Sequence, residues 1–261
     1  SLQSAVVDTA NGYAYFGSSL APGVVSKVSL GSDTEPPALV AVITLDAGED
    51  YLQSAVIDPV RGYAWFGTAT TPGRIVKIAL GEGDAPLSRV GAVTLNDGEN
   101  NLKCGVIDSA GGHAWFGAWT SPGTVVKVAL GAGDAPPSRV GAVTLNDGEN
   151  SLKCGVIDPA RGHAWFGTAT TPGMVVKVAL GAGTAAPSRV GAVTLDDGEN
   201  SLYSAVIDPA GGHAWFGTNT TPGRVVKVAL GAGASAPARI GAVTLEAGEN
   251  KLCSAVADPA G

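Results

Sequence analysis

The sequence has little cysteine, little charge and no long apolar run. Its three cysteines contain no CxxC pair, so neither a disulfide framework nor a zinc site is indicated. Charged residues occupy only 15% of the 261 positions. No apolar stretch approaches the ~18 residues that a membrane-spanning helix needs. The lack of such a stretch predicts a chain that does not insert into a membrane.

The charge that is present is mostly negative. The net charge is −7 and the isoelectric point is about 4.9. Because a negative surface repels phosphate groups, nucleic acid is a poor partner for such a chain. We therefore predict no nucleic-acid binding.

An internal repeat of 50 residues dominates the chain. A fixed period of this length is typical of repeat architectures, so it is the first guide to the fold. The repeats cover residues 2–51, 52–101, 102–151, 152–201 and 202–251, and a partial sixth repeat covers 252–261. The repeat predicts one domain, residues 1–261, made of near-identical parts.

Each repeat contains four short predicted strands. In the fifth repeat they cover 202–208, 213–217, 224–230 and 239–245, and Gly- and Pro-rich turns separate them. Several strands are apolar on both faces, as a sheet between two other sheets requires. This pattern predicts an all-β β-propeller of five near-identical four-stranded blades plus one extra inner strand, Leu252 to Asp258.

The repeated motifs also resemble a known family. The Asp-Pro-Ala-Gly-Gly turn, the aromatic strand ending in Gly-Thr and the segment Pro-Gly-x-Val-Val-Lys-Val are similar to bacterial β-propeller repeats of the YVTN and NHL type. The resemblance implies a secreted or cell-surface binding protein. The virginiamycin B lyase group, a more distant relative in shape, is enzymatic, but a unique His/Glu cluster for its metal-dependent site is not found in this sequence.

An acidic loop precedes the inner strand of each repeat and is the candidate ligand site. Carboxylate and amide oxygens are hard ligands that suit Ca²⁺, so we predict no cofactor, with calcium as the one alternative. The alternative is that these side chains satisfy local backbone donors of the turn. The candidate residues are Glu49, Glu99, Glu149, Glu199 and Glu249, with Asn100, Asn150, Asn200 and Asn250.

Two other repeated positions have structural interpretations. The lysines at 27, 77, 127, 177 and 227 lie within apolar strands. We expect their amines to reach the blade rim or to pair with a carboxylate. The large rings at 15, 65, 115, 165 and 215 are expected to pack between blades.

Two local features suggest an extracellular, interacting protein. Asn219 begins an Asn-Thr-Thr sequon, which predicts N-glycosylation. The partial sixth repeat leaves Leu252, Ser254 and Val256 on an unpaired inner strand, which we predict to be an assembly strand, because an open strand edge can pair with another chain.

Near-identical repeats argue against one asymmetric catalytic constellation. We therefore predict a non-enzymatic extracellular or cell-surface propeller, acting as a structural or multivalent interaction module. The first alternative is a carbohydrate-binding, lectin-like propeller, and the second is a metal-assisted lyase. The expected partners are other protein chains, further repeats of the same protein, and glycans.

Overall fold

The computed structural model describes residues 1–256, and all of its regular structure except one short 3₁₀ turn is β-strand. Within these residues, no helix is long and apolar enough to cross a membrane. The strands are β1 (Leu2–Asp8), β2 (Tyr13–Ser18), β3 (Val24–Ser29), β4 (Ala38–Thr44), β5 (Leu52–Asp58), β6 (Tyr63–Thr68), β7 (Arg74–Ala79), β8 (Ser88–Thr94), β9 (Leu102–Asp108), β10 (His113–Ala118), β11 (Thr124–Ala129), β12 (Ser138–Thr144), β13 (Leu152–Asp158), β14 (His163–Thr168), β15 (Met174–Ala179), β16 (Ser188–Thr194), β17 (Leu202–Asp208), β18 (His213–Thr218), β19 (Arg224–Ala229) and β20 (Ala238–Thr244). The 3₁₀ turn is Pro159–Arg161.

The strands form five four-stranded sheets, each made of four consecutive strands. We call these sheets blades 1 to 5; blade 1 is β1–β4 and blade 5 is β17–β20. The strand pairs of blades 1, 2, 4 and 5 are antiparallel, as in β5–β6 and β6–β7. The prediction of an all-β chain with one four-stranded blade per repeat is confirmed.

Blade 2 illustrates why these residues form strands. β5 alternates buried and partly exposed residues, whereas the central strands β6 and β7 are buried on both faces. β-branched and aromatic residues suit such doubly covered strands. Gly67 in β6 has no room for a side chain, because a Cβ there would collide with Ser54 Oγ and lie 3.0 Å from the Cβ of Leu102 in the following blade.

The described chain divides into two compact units. The first comprises Ser1–Phe116 and Val128–Arg139, and the second comprises Gly117–Lys127 and the residues from Val140 onward. The core of the first unit includes Tyr15, Leu52 and Phe66, which come from blades 1 and 2. The core of the second includes the equivalent residues Trp165, Leu202 and Phe216. The repeated rings therefore pack between blades, while the single-domain organisation stays a prediction.

The prediction of an inner strand over Leu252–Asp258 is wrong for the part that the structure describes. Residues 252–256 have no strand pairing, although the Leu252 N–H donates to the Thr218 carbonyl at 2.9 Å. A strand needs a ladder of hydrogen bonds to a neighbour, and a single bond does not provide one. Asp258 lies outside the described residues.

Candidate functional site

The repeated lysines bridge successive blades through backbone carbonyls. Lys77 is fully buried, and its Nζ donates to the carbonyls of Gly131, Gly133 and Ala135, at 2.8 Å to Gly131 and 3.0 Å to Ala135. Lys27, Lys127 and Lys177 make the equivalent bonds. The expectation of an amine at the rim or beside a carboxylate is therefore wrong, because a glycine-rich loop of the following blade supplies the acceptors.

The candidate glutamates lie in ion pairs between blades. Glu99 is buried and accepts from Arg139 Nε at 2.8 Å and from the backbone N–H of Asn96 at 3.0 Å. Glu49, Glu149 and Glu199 have the equivalent arginine partners, at Arg89, Arg189 and Arg239. Glu249 is exposed. Within residues 1–256, no three His, Cys, Asp or Glu side chains are grouped to hold a metal, and a bound calcium ion stays a prediction.

The other candidate residues are spread over the second half of the chain and the acidic loops. The Oδ1 atoms of Asn100, Asn150 and Asn200 are buried without a hydrogen-bond partner among the described residues. Asn250 is exposed, and Asn219 is partly exposed. Leu252 is partly exposed, whereas Ser254 and Val256 are exposed. These placements leave glycosylation and strand assembly as predictions.

The described surface has grooves between successive blades. The first lies between blades 1 and 2 and encloses about 560 Å³; its lining includes Asp8, Tyr13, Tyr15 and Arg61. An equivalent groove around Trp65 encloses about 360 Å³, and another around Trp165 encloses about 480 Å³. The first groove is thus larger than these two equivalents.

One break in the repeat changes the chemistry of the first groove. Trp65 and Trp165 donate their indole N–H groups to the carbonyls of Leu130 and Leu230, at 3.1 and 3.0 Å. Tyr15 stands at this position in blade 1. A phenol is smaller than an indole, and here the Leu80 carbonyl accepts from Lys27 at 2.8 Å instead. The substitution therefore places a phenol at the position where these two grooves have an indole.

Strand register gathers the polar groups of the first groove. Asp8 pairs with Tyr13 across β1 and β2, and Tyr15 lies two residues along on the same face. Asp8 is 3% exposed and accepts from the backbone N–H and the side-chain amide of Asn11. The Tyr13 hydroxyl donates to Asp84 at 3.0 Å, so a carboxylate of blade 2 contacts the tyrosine of blade 1.

Electrostatics keep the tyrosines of this groove protonated. Burial, with the charge of Asp8 as the second cause, raises the pKa of Tyr15 to about 12. The hydrogen bond to Asp84 raises the pKa of Tyr13. Desolvation lowers the pKa of Lys27, against the opposing effect of Asp84 and Asp8. The groove therefore combines a buried carboxylate with a phenol that is a hydrogen-bond donor at neutral pH.

Stability should fall as the pH rises from about 10 to about 12, partly because of Tyr15. The unfolded chain loses the phenolic proton near pH 10, whereas the folded chain holds it to about pH 12, so deprotonation favours unfolding in this range. Urea unfolding at pH 9, 10 and 11 measures the effect. Tyr15→Phe is the control, because it removes this proton and keeps Lys27. A Tyr15→Phe protein with the same fall in stability would contradict the assignment.

Sequence reasoning treated position 15 as one of five equivalent packing rings and so missed this site. The signal was present, since Tyr15 is the only member of that set that is not tryptophan. Its neighbours could not be assembled from sequence, because Asp84 lies 71 residues from Tyr13 along the chain.

Comparison with known proteins identifies the fold. No protein family and no curated protein sequence matches the chain. A periplasmic gluconolactonase of Pseudomonas aeruginosa, PpgL, is similar in structure, with a TM-score of 0.73, 12% identity, and 94% of this chain aligned to 70% of that one. A putative 6-phosphogluconolactonase of Bacteroides uniformis has a TM-score of 0.70, 12% identity, and coverage of 95% and 73%.

A third similar structure is a protein complex. Sqt1 of Chaetomium thermophilum, bound to the N-terminus of the ribosomal protein L10, has a TM-score of 0.58 and 12% identity. The match covers 84% of this chain but only 56% of that one, so this chain spans little more than half of its length. Together the blades and the neighbours show that the chain is a β-propeller protein, as its repeats predicted.

The prediction of a non-enzymatic extracellular scaffold is wrong. Among the propellers that share this fold are proteins described as lactonases, and none of the similar structures points to such a scaffold. The physical error was the inference from repetition to symmetry. One substitution, at Tyr15, is enough to make one groove chemically different from its equivalents.

Proposed function

We propose that this propeller hydrolyses the lactones of sugar acids in the first groove. The observation that carries the proposal is the asymmetry of that groove, where Tyr15 replaces tryptophan and faces the same space as Asp8. The similarity in fold to a gluconolactonase and to putative 6-phosphogluconolactonases supports this reaction class over others.

The groups of the groove match the needs of lactone hydrolysis. Water attacks the acyl carbon, the ring C–O bond breaks, and the proton lost by water ends on the ring oxygen, which gives a hydroxy acid. Asp8 is the candidate base that takes the proton from water and returns it to the leaving oxygen. Tyr15, kept protonated by its raised pKa, is the candidate donor to the oxyanion that develops on the carbonyl.

Arg61 has a supporting part at the rim of the groove. Its side chain is 54% exposed, and its guanidinium is held by Asp58 and by the Ser109 carbonyl. This cation lies on the same lining as Asp8 and Glu82. We assign it to balancing the acidic groups of the groove, so that an anionic product is tolerated there.

Restoring the repeat residue should abolish the reaction without unfolding the protein. We expect Tyr15→Trp to fill the groove and remove the phenol, so that D-glucono-1,5-lactone hydrolysis, followed by acid release in a pH-stat, falls to the spontaneous rate. The melting temperature should stay the same or rise, because tryptophan can donate to the Leu80 carbonyl as Trp65 does to Leu130. A fully active Tyr15→Trp protein would contradict the assignment of this groove.

Asp8→Asn is expected to lower kcat by about 100-fold or more, the usual contribution of a general base. Asp158→Asn changes the equivalent aspartate of blade 4 and is the matched control, with activity expected to be unchanged. If the unaltered protein shows no hydrolysis above background for this lactone or its 6-phosphate, the reaction class is wrong.

Protein binding is a second candidate function, and a specific comparison favours it. Sqt1 is a propeller of similar structure that was crystallised with a peptide segment of another protein, so protein partners are plausible for this chain too. Glycan partners and an extracellular location stay predictions. A pull-down with immobilised chain, repeated with Tyr15→Trp, tests whether a protein partner and the lactone use the same groove.

A further inference from the structure

One face of blade 5 exposes side chains that the other blades bury. Glu249 is exposed, whereas Glu49, Glu99, Glu149 and Glu199 are buried. Lys227 and Trp215 are partly exposed, whereas the lysines and large rings of blades 1 to 4 are 2% exposed or less. Ile240 and Val243 of the same blade are also more than half exposed, and exposed apolar patches mark interaction sites.

The covered blades show how such a face is completed. In the repeat of blade 2, Glu99 pairs with an arginine. The Lys77 amine donates to three carbonyls, and the Trp65 indole donates to the Leu130 carbonyl. All of these partners come from the following repeat. Within residues 1–256, Glu249 has no arginine partner and Lys227 has no carbonyl cage; the Lys227 amine lies 5.3 Å from the Trp215 ring centroid.

The chain already takes the first place of a following repeat on this face. The Ser204 hydroxyl donates to the Leu252 carbonyl at 2.8 Å, as Ser54 does to Leu102 at 3.0 Å. The Lys251 N–H donates to the Thr220 carbonyl at 3.1 Å, as the Asn101 N–H does to Thr70. Leu252 therefore lies in the position that the first residue of an inner strand has in a covered blade.

We propose that this face of blade 5 docks a sixth blade of the arginine type. Such a blade has arginine at the fourth-strand position of Arg239 and a carbonyl loop like residues 231–235. The arginine is required because it pairs with Glu249. The loop is required because its carbonyls accept hydrogen bonds from the Lys227 amine. A blade with leucine at that position, such as Leu39 in blade 1, lacks the partner for Glu249. This inference is independent of the lactonase proposal.

The test extends the full chain by one repeat. A copy of residues 202–251 is inserted after Lys251, and tyrosine replaces the tryptophan of the copy that corresponds to Trp215. Two versions are compared. The arginine version keeps the arginine that corresponds to Arg239, and the leucine version has leucine there. We expect the arginine version to reduce acrylamide quenching of Trp215 at least twofold, with Trp215→Phe used to isolate that signal. We expect the leucine version to protect Trp215 less and to melt several degrees lower.

Charge pairing is tested separately by Glu249→Gln. This change should lower the melting temperature of the arginine version and leave that of the leucine version nearly unchanged, because only the former has a pair to break. Equal effects in both versions, or quenching of Trp215 that does not fall in the arginine version, would overturn the proposal.

Circular dichroism of both extended chains guards against a failure of the long chain to fold. An arginine version with less β-structure per residue than the unextended chain would also overturn the proposal, because the added repeat would then not dock on blade 5. Sedimentation of the unaltered chain measures its oligomeric state. If the chain dimerises, and if Trp215 becomes protected from acrylamide at the same concentrations, a second copy is the occupant and the sixth-blade proposal is wrong.

Discussion

Arg139→Leu is expected to lower the free energy of unfolding by about 3 kcal/mol, the scale seen when one partner of a buried ion pair is removed. The arginine makes a bidentate contact with Glu99, at 2.8 Å between Nε and Oε2 and 2.6 Å between Nη2 and Oε1. That hydrogen bond raises the pKa of Arg139. Without it Glu99, whose side chain is 7% exposed, has lost its arginine partner in a site with little water. Urea unfolding at pH 7 measures the loss.

The repeat supplies the control for this prediction. Glu249→Gln changes the equivalent glutamate where no arginine is paired with it among the described residues, and we expect an effect below about 0.5 kcal/mol. The double variant Arg139→Leu/Glu99→Gln should recover part of the loss, since it removes the uncompensated charge. If Arg139→Leu costs no more than Glu249→Gln, the pair does not stabilise the blade interface.

Lys77→Met is expected to cost roughly 3 kcal/mol, because it leaves the carbonyls of Gly131, Gly133 and Ala135 without their donor, at roughly 1–3 kcal/mol for a buried unsatisfied group. Methionine matches the length and packing of the lysine stem, so the measured loss reports mainly on the amine. Burial lowers the pKa of Lys77, which shows that the charged amine is itself held at a cost. Thermal and urea unfolding of both proteins give the difference.

Lys227→Met is the matched variant at the partly exposed position. Its amine has no carbonyl cage within the described residues, so we expect a change below about 1 kcal/mol. Equal losses at Lys77 and Lys227 would show that the cage contributes nothing to stability and that the lysine acts through its stem alone.

The fold was accessible from the sequence because the repeat presents the same evidence five times. The alternation in Leu52–Asp58 and the doubly buried Arg74–Ala79 are local patterns that predict strands directly. The inner-strand prediction at Leu252–Asp258 failed for the opposite reason. The same local pattern recurs there, but residues 252–256 have no ladder of backbone hydrogen bonds to a neighbouring strand.

The candidate site was less accessible, because its parts are distant in sequence. The acidic loop predicted Glu99 as a candidate cation ligand, but that carboxylate pairs with Arg139, which is 40 residues away in the chain. The lysines were expected at the rim, but the loop that accepts Lys77 lies 54 to 58 residues further on. Such contacts follow from the stacking of one blade on the next, which no local pattern encodes.

The sequence alone determined that this protein is an array of four-stranded β units, because strand formation depends on local alternation, turn residues and a period that repeats. Only the tertiary structure decided which residues meet between blades. Packing brought Asp8, Tyr13 and Arg61 into one groove and gave the replacement of tryptophan by Tyr15 its chemical meaning. It also showed that Glu249 of blade 5 is exposed and Lys227 is partly exposed, whereas their equivalents in the other blades are buried. The physical reason is that burial and charge pairing are properties of neighbours in space, and those neighbours lie about one repeat apart in the chain.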